Sequence, residues 1–165
     1  MDLFNEKIVS RRKDGKDFAI IAGIVVLAVA VSFLVLLFLP GIAPFLVIGV
    51  IYLGYWLITQ RNIEYEYAVT NGDIDIDMII SQRKRKKVFS GNCKDFELIA
   101  RVKSDKYDGQ IKNCKNVKDY SSHNDNADVW FIYSTQAGPA VILFEPTPQM
   151  IDCFFTFAPR KVYRY

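Results

Sequence analysis

From Phe18 to Gln60 the chain carries no Asp, Glu, Lys, Arg or His, and the middle of this stretch reads Pro40-Gly41-Ile42-Ala43-Pro44. As a single helix it would run roughly 65 Å at ~1.5 Å per residue, about twice a hydrocarbon core of ~30 Å, so it is expected to cross a bilayer and turn back. The pattern predicts a first span at 18–39 and a second at 45–59, with Pro44 at a helix start, where its missing N–H costs little. The first apolar run exceeds the core of a cleavable signal segment, and a second run follows at once.

Lys7, Arg11, Arg12, Lys13 and Lys16 precede the first span, Arg61 follows the second, and the connector is uncharged. By the positive-inside rule this predicts a two-span protein of the plasma (inner) membrane with both termini cytoplasmic. Tyr52, Tyr55 and Trp56 cluster near the exit of the second span, where amphipathic rings anchor at headgroup level. Ala19 with Gly23 and Ala28 with Ser32 offer small surfaces on the first helix, expected to pack against the second span near Gly49. With no ionisable group inside the spans, a proton relay, a voltage sensor and a coupled transporter are disfavoured.

The chain divides into a cytoplasmic arm at 1–17, the helical hairpin at 18–60 and a soluble part at 61–165, long enough for one small domain. Of 21 basic and 18 acidic residues, the soluble part holds 16 and 14, a net of +2 that gives no global case for nucleic acid. Cys93, Cys114 and Cys153 are odd in number, widely spaced and without a CxxC pair, as expected of reduced cytoplasmic thiols.

Beyond Ile63 the apolar period becomes two: Ile63, Tyr65, Tyr67 and Val69, then Asn71-Gly72, then Ile74, Ile76, Met78 and Ile80. A type I′ turn at Asn71-Gly72 sets Thr70 against Asp73, Val69 against Ile74, Tyr67 against Ile76, Tyr65 against Met78 and Ile63 against Ile80. One register satisfies both the turn and the apolar pattern. It leaves Glu64, Glu66, Asp75 and Asp77 on the other face, Glu66 directly across from Asp77, an arrangement that needs cations nearby. Arg83, Lys84, Arg85, Lys86 and Lys87 follow on what reads as the next strand.

Further strands are predicted at 96–102, near 116–120, at 129–135 and at 140–145, the last two flanking a turn at Gln136-Ala137-Gly138-Pro139. A polar loop, mobile around 121–128, lies between. Thr147 and Pro148 open a helix at 148–158 with a broad apolar face through Met150, Ile151, Phe154 and Phe155. Six or seven strands and a closing helix suggest a small mainly-β barrel or sandwich behind the transmembrane hairpin.

Tyr-Glu-Tyr-Ala-Val-Thr-Asn-Gly-Asp-Ile directly after a membrane hairpin resembles bacterial membrane proteins with pleckstrin-homology-like domains. Asn71-Gly72-Asp73-Ile74-Asp75-Ile76-Asp77, Arg85-Lys86-Lys87-Val88-Phe89-Ser90, Val117-Lys118-Asp119-Tyr120-Ser121-Ser122, Phe144-Glu145-Pro146 and Pro159-Arg160-Lys161-Val162 resemble, more closely, a family of small bacterial two-span proteins of uncharacterised function. The resemblance runs from the hairpin to the C-terminus. It implies a PH-like fold and no particular activity.

The basic run Arg83 to Lys87 is the candidate lipid-binding site, since each cation near an anionic headgroup contributes about 1 kcal/mol; the alternative is that it neutralises the acidic strand face. It lacks the aromatic platform of a nucleic-acid site. Asp73, Asp75 and Asp77 alternate like the first ligands of a calcium loop, but Lys84 stands where the loop needs Glu and isoleucines lie between them. Cys93, Cys114 and His123 match no zinc spacing, and nothing in the sequence brings His123 to Cys153 as base to nucleophile. The expectation is a non-enzymatic membrane protein, without metal or cofactor, whose PH-like domain meets a protein partner, its own copies or anionic lipid. The alternative is a membrane-tethered enzyme.

Overall fold

A computed structural model describes residues 4–136 and 138–164. Strand β1 (Phe4–Ser10) precedes the apolar stretch and pairs antiparallel with β2 (Ile63–Thr70), Phe4 opposite Thr70 and Ser10 opposite Glu64. Between these two paired strands the chain runs through α1 (Gly15–Phe38) and α2 (Ala43–Thr59). The described part of the arm, expected to be a segment apart, is therefore an edge strand of the β domain. Its pattern concealed this: of the three side chains turned inward, Asn5 and Lys7 are polar and only Val9 is apolar. Lys7 is accommodated because its ammonium donates to Glu145 O at 2.9 Å.

At 24 residues α1 is long and apolar enough to cross a membrane, whereas α2 is apolar but has 17. Both begin slightly earlier than predicted, and Pro44 sits in the first turn of α2, where no intrahelical donor is lost. The helices touch at Gly54, where an added Cβ would lie 3.8 Å from Ala28 Cβ and from Ile24 Cγ2. Gly49, the expected contact, has nothing within 4 Å. The antiparallel register set by the short connector brings Ala28 beside Gly54 instead.

The first sheet is β1, β2, β3 (Asp73–Ile80) and β4 (Lys84–Asn92), in that order. Between β2 and β3 the register is the one predicted, from Thr70 with Asp73 to Ile63 with Ile80, including Glu66 across from Asp77. Asn71 and Gly72 take the positive φ of a type I′ turn, at 52° and 91°. Gly72 is needed twice over, since a Cβ there would also lie 2.8 Å from Cys93 Sγ.

Strand β4 changes phase at a bulge. Lys87 faces Asp77 and Phe89 faces Ile76, so Val88 is the extra residue. Arg85 and Lys87 consequently lie on the acidic outer side, while Phe89, two residues on, turns to the core. Tyr120 Oη donates to the bulged Val88 carbonyl at 3.2 Å.

After a 3₁₀ turn at Cys93–Asp95 come β5 (Leu98–Arg101), α3 (Gly109–Lys112), β6 (Val117–Asp119), β7 (Trp130–Ser134), β8 (Ala140–Phe144), α4 (Pro148–Phe157) and β9 (Val162–Tyr163). The second sheet has the order β6-β8-β7-β5-β9. Thr147 caps α4 as expected, its Oγ1 accepting from Met150 N–H at 3.3 Å. The predicted strand at 96–102 shortens to β5, the turn between β7 and β8 includes Ala137, which lies outside the described residues, and β9 was not anticipated. Nine strands are present among the described residues, against six or seven expected.

Tyr67 and Ile76 of the first sheet, Ile132 and Phe144 of the second, and Met150 and Phe154 of α4 meet in one buried core. Among the described residues no strand pairing joins the two sheets, so the β part is two layers sharing a core rather than one closed barrel. A smaller cluster of Ala100, Phe131 and Val141 on the other face of the second sheet is covered by Ile111 and Tyr107. The polar stretch expected to be loose is thus docked at both ends. Ser121 and Ser122 are buried, and Ser122 N–H donates to Glu145 Oε1 at 2.6 Å.

Candidate functional site

The helices join the β domain through one carboxylate. Asp17, in the first turn of α1, is 3% exposed and contacts Arg11 Nη2 at 2.5 Å and Arg61 Nη2 at 3.0 Å. Asp17 also accepts from Asp14 N–H, fastening the start of the helix. A buried charge is tolerated when paired, and here the pairing ties the chain shortly before α1, at Arg11, to the chain just after α2, at Arg61. On the outer side of this neck Arg12 N–H donates to Ser122 O at 2.8 Å, and His123 places Nδ1 3.3 Å from Asp14 and Nε2 3.2 Å from Asp119. The β domain is strapped to the helix ends on two sides. Sequence reasoning counted Arg11 and Arg61 only for orientation, although Asp17, an acid at the brink of an apolar run between two arginines, was the available signal.

The basic run separates into two groups. Arg85 pairs with Glu66 and lies 3.9 Å from Asp77, and Lys87 Nζ lies 2.9 Å from Asp75. These two cations answer the acidic face. Arg83, Lys84 and Lys86 are exposed and make no ion pair among the described residues. Lys84 and Lys86 lie opposite Ile80 and Met78, on the other side of the strand from Arg85 and Lys87.

Arg83 closes the turn between β3 and β4, in which Ser81 and Gln82 take φ of 53° and 55° and Arg83 N–H donates to Ile80 O. Ser81 N–H donates to Asn62 O at 2.8 Å, bringing this turn against the chain as it leaves α2. The result is a cleft of about 560 Å³ lined by Ser10, Arg11, Tyr55, Thr59, Glu64 and Arg83 among others. Tyr55 comes from the last turns of α2 and Arg83 from the β domain, so the cleft lies where helices and domain meet. Tyr52, Tyr55 and Trp56 are 67%, 62% and 40% exposed, and of the three only Tyr55 lines the cleft.

The other groups singled out from the sequence are dispersed. Cys93 and Cys153 are buried in the main core, where burial raises the Cys93 thiol above its ordinary pKa. Cys114 packs on the opposite face of the second sheet, its thiol 3.2 Å from Pro139 O. Both His123 ring nitrogens face carboxylates, and the Ser121 hydroxyl donates to Asp119 at 2.7 Å rather than to the imidazole. Asp73 accepts from Asn92 at 2.6 Å while Asp75 and Asp77 face cations, so the three act as strand rungs. Among the described residues no three His, Cys, Asp or Glu side chains gather as a metal site.

A family model described as a bacterial PH-like domain (DUF6106) matches residues 1–164, a stretch that takes in β1 and both long helices as well as the two sheets. No curated protein and no solved structure matches the chain.

Proposed function

We propose that this chain, which belongs to the bacterial PH-like domain family, is a non-enzymatic membrane protein that holds its β domain against an anionic bilayer surface. In this reading α1 and α2 both cross the inner membrane, both termini are cytoplasmic, and the domain contacts acidic headgroups through Arg83, Lys84 and Lys86. The observation that carries it is the seating of the β3–β4 turn beside the end of α2. The cations left over after the acidic face is answered are the ones on this turn and the start of β4. Each could add about 1 kcal/mol at an anionic surface, and the strapped neck removes the entropy that a free tether would lose on docking.

The test is hydrogen exchange on the full chain in lipid nanodiscs. Amides of residues 83–86 should exchange more slowly in discs rich in phosphatidylglycerol than in neutral discs, and Lys84→Gln with Lys86→Gln should abolish the difference. Equal exchange in both disc types would sink the reading.

A second reading, protein binding, is favoured by the outer face of the first sheet. Glu6, Glu64, Glu66, Asp73, Asp75 and Asp77 share that face with two cations among the described residues, Arg85 and Lys87, which suits a basic partner segment.

A further inference from the structure

Beside the cleft at the neck lies a second cavity, which shares Tyr55 with it. A groove of about 620 Å³ runs between α1 and α2, lined almost wholly by apolar side chains, with Ala28, Ser32 and Gly54 leaving the room and Tyr55 forming a wall of both spaces. One end is polar and lies beside the β domain; the other is apolar and follows the helices. This is the division of a lipid molecule into headgroup and chain.

The cleft's own charges specify the headgroup. Arg11 is committed to Asp17. Among the described residues Arg83 has no ion-pair partner, and Glu64 accepts only the Ser10 hydroxyl, at 3.3 Å. Arg83 and Glu64 are uncommitted, of opposite sign, and not paired to each other among the described residues. A purely anionic headgroup would satisfy Arg83 and be repelled by Glu64. A headgroup carrying both a phosphate and a primary ammonium satisfies both, and a primary ammonium offers three N–H donors to Glu64 and Ser10 that a quaternary one lacks.

We propose that the cleft and groove together hold one aminophospholipid, its phosphate on Arg83, its ammonium on Glu64 and an acyl chain along Ala28, Ser32 and Gly54. The inference rests on α1 and α2 lying in a bilayer, but not on the anionic surface contact of Lys84 and Lys86, and it places Arg83 in the cleft rather than in that contact. The bound lipid acts as a wedge between helices and domain, so its headgroup chemistry is read at the neck.

Native mass spectrometry of the full chain, released from nanodiscs containing equal phosphatidylethanolamine, phosphatidylcholine and phosphatidylglycerol, tests it. The wild-type chain should retain one phosphatidylethanolamine in preference to the other two. Arg83→Gln should lower retention of all three by roughly tenfold or more, the scale of a lost charge-assisted contact. Glu64→Gln should erase the preference for phosphatidylethanolamine over phosphatidylglycerol while a lipid is still retained. No retained lipid, a preference for phosphatidylglycerol in the wild type, or unchanged selectivity in Glu64→Gln would each overturn the proposal. Because exchange at residues 83–86 is scored separately with Lys84 and Lys86 replaced, failure here is distinguishable from failure of the surface contact.

Discussion

The two sheets are built on different principles. In the first, strands are neighbours in both space and sequence, joined by a two-residue turn at Asn71-Gly72 and a three-residue one at Ser81-Gln82-Arg83, with α1 and α2 set where the β1–β2 turn would be. In the second, the order β6-β8-β7-β5-β9 includes two parallel pairs, β5 with β9 and β6 with β8, and only β7 and β8 are sequence neighbours. Local turn chemistry can specify the first, whereas the second is reached only by burying distant segments together, a slower and more cooperative route. The difference explains where helices can be accommodated. A hairpin whose ends are already hydrogen-bonded accepts an insertion, and Arg11 N–H to Ile63 O at 2.9 Å marks the place.

The largest effect should therefore come from testing that insertion directly. Replacing residues 13–61 with Asn-Gly, which joins Arg12 to Asn62 through a type I′ turn, should give a folded protein that stays in solution without detergent. Removing residues 1–10 as well should cost on the order of 5 kcal/mol, comparable to the whole stability of a small domain, because β2 loses its ladder and Val9 its burial. Urea midpoints from circular dichroism would show it. Equal midpoints would mean that β1 merely decorates the domain. For the same reason the piece 61–165 alone is a poor surrogate for the domain.

The two turns of the first sheet make the next comparison. Gly72→Ala should destabilise by about 2–4 kcal/mol, combining the left-handed backbone with the clash on Cys93 Sγ. Ser81 and Gln82 occupy the same left-handed region with side chains attached, so Ser81→Asn with Gln82→Gly should stabilise by about 1 kcal/mol. Both are measured by chemical denaturation of the detergent-free chimera. A stabilising Gly72→Ala would sink the view that the turn specifies the register.

Legibility in the sequence followed this divide. The β2–β3 register could be counted outward from Asn71-Gly72, and α4 from Thr147-Pro148, because each rests on contacts within a few residues. Strand β1 was invisible because two of its three inward residues, Asn5 and Lys7, are polar, Lys7 finding its partner, Glu145 O, across the molecule. The bulge at Val88 was hidden too, since alternation alone puts Arg85, Lys87 and Phe89 on one side. At the candidate site the basic run was legible as a whole, but its division was not. Which cations remain after Glu66, Asp75 and Asp77 are answered depends on that one extra residue. The cleft was beyond reach because Ser10, Tyr55, Glu64 and Arg83 come together only through the closed neck.

The smallest predicted effect lies in the acidic face, where two carboxylates shift in opposite directions. Asp75 is lowered below its ordinary 3.8, chiefly by a hydrogen bond from Ser90 and further by Lys87, while Glu66 is raised above 4.5, chiefly by burial, with Arg85 opposing. The lowered Asp75 contributes stability that is present above pH 3.8 and lost as pH falls through its folded value. The raised Glu66 works the other way: folding is favoured as pH falls through its folded value toward 4.5, because the folded state takes up that proton more readily. Stability of the chimera should therefore rise slightly on acidification toward pH 4.5 and fall below 3.8. Ser90→Ala separates the two, since it releases Asp75 and leaves Glu66 alone. Its deficit in urea midpoint should be present at pH 6, shrink below pH 3.8, and be small throughout because Asp75 is 43% exposed and solvent screens the pair. A deficit that is constant with pH would show that Ser90 supports the bulged strand by packing and not through the carboxylate.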